Sequence, residues 1–132
     1  MLTIWSCTGW AADRMDGRVV AVVKDLFFVA RIRETARLAG VPLEFARTPR
    51  ELETALAAGP ASFVLMDLTT PGWDYEALFR ALEGSASRPP VVAFTTHALA
   101  ARTKPLHGRC ERVVTKETLT QELGDILKGA LR

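Results

Sequence analysis

The sequence predicts an α/β fold in which a parallel five-stranded sheet lies between two layers of helices. Its apolar runs are short and continuous, beginning with residues 19–23, which is typical of parallel strands covered on both faces. These runs alternate along the chain with segments of helical periodicity, and strands joined by helices form parallel sheets with right-handed crossovers. With 132 residues the chain has the length of one domain.

The first strand is followed by a predicted helix over residues 26–39, and Gly40 supplies its stop. The apolar residues that recur at helical spacing in this segment are Phe28, Ile32, Ala36 and Ala39. A short second strand is predicted at residues 42–46.

The second helix is predicted from the chemistry of its first turn. Thr48 can cap the helix, Pro49 suits the first helical position, and Glu51 completes a capping box. The third strand covers residues 63–67, and a third helix is predicted over residues 75–83.

The last third of the chain predicts two strands and two helices. A fourth strand lies within residues 89–97. Residues 98–106 form the weakest predicted helix, because Pro105 ends it early. A fifth strand precedes the last helix, which Thr118 with Gln121 is expected to cap. The apolar stripe of that helix contains Leu119, Leu123, Ile126 and Leu127.

Composition and charge exclude several classes of protein. The chain has 17 Lys and Arg against 15 Asp and Glu, and this net charge of +2 is too small to indicate nucleic acid or an anionic membrane. Cys7 and Cys110 lie far apart without ligand spacing, so neither a disulfide framework nor a zinc site is indicated. No apolar run approaches the roughly 18 residues of a membrane span, and no signal peptide is recognised. We therefore expect a cytoplasmic protein.

Residues 1–17 are predicted to be an N-terminal extension, because they lack clear periodicity and the ordinary domain pattern starts after them. We expect this extension to be poorly ordered and the domain to span residues 18–132. The alternative is a small strand or helix in which Ile4, Trp5 and Trp10 cover an apolar patch.

Polar side chains follow the predicted strands at the point where each strand ends. In open parallel sheets this edge forms the ligand site. With the strand order 2-1-3-4-5 the first and third strands are neighbours, so Asp25 and Asp67 face one another. Two nearby carboxylates favour a cation between them, and such oxygen ligands suit Mg²⁺. The strand-end residues are Lys24 and Asp25, Asp67, Thr95 with Thr96 and His97, and Lys116.

Four segments, VVKDLFF, VLMDLTTP, VVAFTT and VVTKETL, resemble in order and spacing the site motifs of response-regulator receiver domains of the chemotaxis-regulator type. The resemblance implies that Asp67 is the phospho-accepting aspartate. It implies that Asp25, Asp67 and the main-chain carbonyl of Thr69 bind Mg²⁺. It also implies that Thr95 and Lys116 contact the phosphoryl group.

The resemblance covers residues 19–131 and implies a flavodoxin-like (βα)5 three-layer sandwich. The implied function is that of a stand-alone receiver in bacterial two-component or phosphorelay signalling. Its partners would be a histidine kinase or phosphotransfer protein and a downstream protein acting in trans, since no output segment follows Arg132. Neither nucleic acid nor a membrane is an expected partner, and a homodimer is left open. Beyond self-phosphorylation and dephosphorylation no enzyme activity is implied, and GxSxG, Walker and HExxH motifs are absent.

Four positions depart from the receiver pattern. Lys24 replaces one member of an acidic pair, and as a built-in counter-ion it would weaken Mg²⁺ binding. Thr96 replaces a small residue that leaves an access path, and Glu117 replaces a proline, so a cis peptide bond is not expected there. Val113 occupies the position of an aromatic switch residue. These departures support an alternative function, a pseudo-receiver that acts as a phosphorylation-independent interaction or dimerisation module.

Each assigned residue also has a simpler structural interpretation. Asp67 could be a strand-end cap or half of a salt bridge with Lys116. Asp25 could cap the first helix, with or without binding a metal. Lys24 could point to solvent, and Trp73 is expected to pack on the third helix rather than to form an exposed anchor.

A basic run lies around the predicted fourth helix and fifth strand. Such a run is usually a solvated face. Receivers commonly engage partners through this region, however, so the resemblance implies a docking surface for an acidic protein. The basic residues of this surface are Arg102, Lys104, Arg109 and Arg112, near the single acid Glu111.

Overall fold

A sheet of five parallel strands forms the centre of the structure, a computed structural model that describes residues 18–86 and 88–129. The strands are β1 (Val19–Val22), β2 (Leu43–Phe45), β3 (Phe63–Asp67), β4 (Val91–Thr95) and β5 (Arg112–Thr115). The helices are α1 (Leu26–Ala39), α2 (Pro49–Ala57), α3 (Tyr75–Glu83), α4 (Ala100–His107) and α5 (Lys116–Lys128), with a 3₁₀ turn (His97–Leu99) before α4. The strand order is β2-β1-β3-β4-β5, which confirms the predicted fold class and order.

The sheet is buried on both faces, as its continuous apolar strands predict. Every residue of β1 and β3 is buried. On one face, Val19 and Ala21 pack with buried residues of α1 and α5. On the other face, Val20 and Val22 pack with α2 and α3. The predicted stripe of α5, Leu119, Leu123, Ile126 and Leu127, is buried.

Local capping starts and ends the first helices where the sequence predicts. Gly40 ends α1 in the left-handed conformation, with φ at 72°. Thr48 caps α2, because its hydroxyl accepts a hydrogen bond from the Glu51 N–H. The Glu51 carboxylate accepts from the Arg47 N–H, so the second half of the predicted capping box reaches one residue further back than the cap.

The predicted end of α4 is wrong. The helix continues past Pro105 to His107. In a helix that starts at Ala100, the missing Pro105 N–H removes only the hydrogen bond to the Ala101 carbonyl, and the helix can continue beyond it.

The predicted cap of α5 is also wrong. The helix begins at Lys116, and its cap is Thr115, whose hydroxyl accepts a hydrogen bond from the Thr118 N–H. Because the helix follows β5 directly, Lys116 lies in its first turn, at the carboxyl edge of the sheet.

The predicted N-terminal extension, with Ile4, Trp5 and Trp10, lies outside the described residues. The domain boundary at residue 18 therefore stays a prediction. Within residues 18–86 and 88–129, no helix is long and apolar enough to cross a membrane.

At the opposite edge of the sheet, where the strands begin, Arg18 connects β2 with the end of α2. Its side chain is only 15% exposed and pairs with Glu44 of β2 at 2.9 Å. The guanidinium also donates to the carbonyls of Ala55 and Gly59, at the end of α2. Carbonyls at the C-terminus of a helix lack partners within the helix, and Arg18 satisfies them.

We expect Arg18→Met to lower the free energy of unfolding by about 1–3 kcal/mol, because it leaves those carbonyls without a donor. Urea unfolding followed by circular dichroism measures this loss. Arg112→Met is the matched control, since Arg112 is 52% exposed and makes one long pair with Glu122. A similar loss for both variants would contradict the structural role of Arg18.

Candidate functional site

Residues from three βα connections line a cavity of about 440 Å³ at the carboxyl edge of the sheet. The cavity brings together every predicted site residue around Asp67 except Thr95. This is the edge at which open parallel sheets bind ligands. The residues that line it are Lys24, Asp25, Asp67, Thr69, Thr70, Pro71 and Lys116.

Asp67 is the last residue of β3 and is only 2% exposed. Its Oδ1 accepts hydrogen bonds from the Thr69 N–H at 2.7 Å and from the Thr69 hydroxyl at 2.6 Å. Its Oδ2 lies 3.4 Å from the Thr70 hydroxyl. The carboxylate is thus held by neutral donors of the loop that follows it, as a strand-end cap would be.

Asp25 caps α1, as its structural interpretation predicted. Its Oδ1 accepts hydrogen bonds from the N–H groups of Phe27 at 2.9 Å and Phe28 at 3.4 Å. Its other carboxylate oxygen has no hydrogen bond among the described residues. One oxygen therefore begins the helix while the second stays available beside the cavity.

The two lysines at the cavity do not form ion pairs in the described part of the chain. The Nζ of Lys116 lies 4.9 Å from the centroid of the Phe28 ring, a cation–π contact. The alternative salt bridge between Lys116 and Asp67 is absent. Lys24 is exposed and borders the cavity, so its role as a counter-ion stays a prediction.

Thr95 ends β4 and is buried, but its hydroxyl is engaged on the side of α4 rather than at the cavity. Its Oγ1 lies 3.0 Å from Oγ1 of Thr103. Thr103 in turn lies 2.8 Å from Nε2 of His107. Sequence spacing predicted the position of Thr95 at the strand end but not the partner of its hydroxyl.

Comparison with known proteins shows which solved structures share this architecture. No protein-family model and no curated protein matches the sequence. The receiver domain of a sensor histidine kinase from Pseudomonas aeruginosa PAO1, crystallised with magnesium coordinated in its active site cleft, is similar with a TM-score of 0.70. Its sequence is 19% identical, over 86% of this chain and 96% of that chain.

Two further solved structures, both of response regulators, have a similar fold. A response regulator from Hahella chejuensis has a TM-score of 0.71 at 18% identity, over 86% of this chain and 94% of that one. A response regulator receiver protein from Burkholderia phymatum has a TM-score of 0.66 at 23% identity, over 86% and 94%. The chain has the receiver-domain fold. The chain covers 94–96% of these three solved chains, so the similarity in fold extends over almost their full length.

Tyr75 supports the loop at the candidate site, a role that the sequence analysis did not predict. Its hydroxyl donates to the Asp67 carbonyl at 2.8 Å and accepts from the Thr70 N–H at 3.0 Å. These bonds fix the loop between β3 and α3, and Trp73 packs edge-on against Tyr75 with ring centroids 6.1 Å apart. The partly buried Trp73 confirms the packing prediction. The only available signal was a single tyrosine at the start of a helix.

Two of the four residues of the predicted basic surface, Arg109 and Arg112, are paired with acids within the fold. Arg109 pairs with Glu76 at 2.8 Å and with Glu83 at 3.0 Å. Its guanidinium also lies over the Phe79 ring, 4.6 Å from the centroid. These acids lie on α3, far away in sequence, so the local charge count could not include them.

The remaining basic residues differ from one another. Arg112 pairs with Glu122 of α5 at 3.5 Å. Arg102 and Lys104, both on α4, are exposed and have no ion pair among the described residues. The free positive charge of this face is therefore confined to α4.

The other departures from the receiver pattern have visible local roles. Thr96 caps the 3₁₀ turn, because its hydroxyl accepts from the Leu99 N–H at 3.1 Å, while His97 is exposed. Val113 is partly buried against the α2 and α3 layer. The peptide bond before Glu117 is trans, as expected.

The donors at the cavity fit a magnesium ion in number and chemistry. Asp25, Asp67 and the Thr69 carbonyl supply oxygen atoms, and Mg²⁺ takes one or two carboxylates with water completing its shell. No cluster of three or more His, Cys, Asp and Glu side chains that could hold a metal occurs within the described ranges. Lys24 and Lys116 line the same cavity, and their positive charge opposes a divalent cation.

The titration of Tyr75 tests the geometry of the loop. Burial is the main cause that raises the pKa of Tyr75 to about 12. Because the unfolded value is about 10, the stability that Tyr75 contributes is fully present below pH 10 and is lost as the pH rises through the folded pKa.

The chain has one tyrosine, so tyrosinate absorbance reports this residue alone. We expect a midpoint near 12 in the folded chain and near 10 in concentrated urea. A folded midpoint equal to the urea value would contradict the placement of Tyr75 over the loop.

Proposed function

We propose that this chain is a response-regulator receiver that accepts a phosphoryl group on Asp67 and signals by protein contact. The observation that carries the proposal is the cavity at the carboxyl edge, where Asp67 lies with Asp25, Thr69 and Lys116. A receiver fold without a suitably placed aspartate would not support it. The similarity to receiver domains across the whole described domain supports it independently of the cavity.

The two oxygens of Asp67 are not equivalent as nucleophiles. Oδ1 accepts two short hydrogen bonds from Thr69, whereas Oδ2 has one long contact with Thr70. In the proposed transfer, Oδ2 attacks the phosphorus of a phosphohistidine. The new O–P bond forms as the P–N bond breaks, and the departing imidazole nitrogen takes up a proton. Positioning and cationic charge account for most catalysis in such transfers.

The charge that develops on the phosphoryl oxygens needs cations nearby. Bound Mg²⁺ would supply part of this positive charge, and Asp25, Asp67 and the Thr69 carbonyl are the residues that would hold it. Lys116 supplies the rest when its ammonium leaves the Phe28 ring and approaches the phosphoryl group. No ion pair has to break for this movement, because Lys116 has none among the described residues.

Two exposed apolar side chains beside the cavity offer a docking surface for a phosphoryl donor protein. Leu26 and Phe27, directly after Asp25, are 72% and 77% exposed. These side chains support docking by a histidine kinase or phosphotransfer protein. The output partner acts in trans, and the unpaired Arg102 and Lys104 of α4 favour an acidic one. No activity beyond self-phosphorylation and dephosphorylation is proposed.

A second function, that of a pseudo-receiver, is supported by the hydrogen bonds of Asp67. The carboxylate is already held by Thr69 and Thr70 without a cation within 4.0 Å in the described ranges. Lys24 adds a permanent positive charge at the cavity. A chain of this kind would act as a phosphorylation-independent interaction or dimerisation module, and its melting temperature would be the same with Mg²⁺ and with a chelator.

Phosphorylation is tested by the intact mass of the protein after incubation with Mg²⁺ and a small acyl phosphate. We expect one phosphoryl adduct on the native chain and none on Asp67→Asn, because the amide cannot form the acyl phosphate. Asp74→Asn is the matched control, since Asp74 is an exposed cap of α3 and asparagine caps equally well. No adduct on the native chain would favour the pseudo-receiver.

The contribution of Lys24 is tested by Lys24→Asp. Replacing the cation by an acid changes the charge at the cavity by two units, so we expect Mg²⁺ affinity to rise by about tenfold, or ~1.4 kcal/mol. Isothermal titration calorimetry at fixed ionic strength measures the affinity. Lys104→Asp makes the same charge change on α4 and should have little effect. Equal gains in both variants would show a general charge effect and overturn the assigned role of Lys24.

A further inference from the structure

Three polar side chains form a continuous hydrogen-bonded chain from the end of β4 into α4. Oγ1 of Thr95 lies 3.0 Å from Oγ1 of Thr103, which lies 2.8 Å from Nε2 of His107. Thr103 also contacts the Ala100 carbonyl at 3.3 Å. Thr95 and Thr103 are 3% and 6% exposed, so water cannot readily replace these bonds.

The hydroxyl of Thr103 uses all of its hydrogen-bonding capacity. It carries one proton and two acceptor lone pairs, and it has three polar neighbours. Loss of this hydroxyl would leave the buried Thr95 hydroxyl without its partner, which is costly in a buried site. The position of the Thr95 hydroxyl is thus fixed by α4 and not by the cavity around Asp67.

Thr103 is also the only residue of α4 that is buried in the described structure. The eight residues of α4 include Pro105 and no acid. A short helix of this composition has little stability of its own, so its attachment depends on contacts with the sheet. The Thr95–Thr103 bond is one such contact, and it joins the helix directly to a predicted site residue.

We propose that Thr103 is a positioning residue that holds the Thr95 hydroxyl on the α4 side, away from Asp67. To reach a phosphoryl group on Asp67, Thr95 has to break its bond to Thr103, and this loss opposes the phosphorylated state. This second step rests on the proposed function, whereas the position of the hydroxyl does not.

The position is tested on the unphosphorylated full chain by NMR. Three-bond couplings to the Thr95 methyl carbon report its χ1 angle. We expect one fixed rotamer in the native chain and in Thr103→Ser, and averaged couplings in Thr103→Val. Thr103→Ala removes the same hydroxyl with different packing and should also give averaged couplings. Thr35→Val is the control, since the Thr35 hydroxyl bonds only within its own helix. Unchanged couplings in the valine and alanine variants would overturn the inference.

The effect on the site is tested by the rate of phosphorylation by the acyl phosphate. We expect Thr103→Val to be about three- to tenfold faster than the native chain, as the net strength of one hydrogen bond implies. Thr103→Ser should restore the native rate. In a Thr95→Val background, Thr103→Val should not change the rate of phosphorylation, because the Thr95 hydroxyl through which it would act is absent.

The two proposals fail in different ways. An equal gain in the Thr95→Val background would overturn the positioning role while Asp67 remains the acceptor. A native chain that forms no adduct would refute the proposed function and with it the effect on phosphorylation. The methyl couplings would then still decide whether Thr103 fixes the Thr95 hydroxyl.

Discussion

The burial of β3 on both faces is the constraint on which the site depends. A strand between two apolar layers cannot hold an unpaired charge in its middle, so its one carboxylate lies at its last position. The parallel register then determines what surrounds Asp67. β1 runs beside β3 with Val22 opposite Met66, and Phe94 of β4 lies opposite Asp67. The connections after all three strands therefore open at the same edge.

Among the described residues, neutral donors and not cations hold the Asp67 carboxylate. Thr69, Thr70 and Tyr75 bind the side chain and the carbonyl of Asp67 within a single loop. Lys116 stays on an aromatic ring at the edge of the cavity. Lys116 therefore has a cation–π contact but no ion pair among the described residues to break before it can approach Asp67. The same arrangement serves a receiver that waits for a phosphoryl group and a module that never receives one.

Local sequence signals predicted the elements of the fold and the strand-end residues, and contacts between distant elements could not be predicted. Gly40 acts at short range, where residue type and backbone conformation are directly linked. The effect of Pro105 on α4 depends on the residue at which the helix starts, and the sequence does not mark that residue. Arg109 was counted as free charge because its partners, Glu76 and Glu83, lie on α3, far away in sequence. Thr95 was placed correctly, but its partner depends on the packing of α4.

In the proposed receiver, the weak attachment of α4 would allow a change at Asp67 to reach the surface. Elements with few buried contacts open at low free energy, and α4 buries only Thr103. If the Thr95 hydroxyl turns toward Asp67, α4 loses a buried partner while the sheet loses none of its ladder. The helix that carries Arg102 and Lys104 then keeps the packing of the partly buried Leu106 against the α2 and α3 layer, but not its buried polar contact. If the proposed function holds, a change of one hydroxyl at the strand end would thereby change the charged face that a partner contacts.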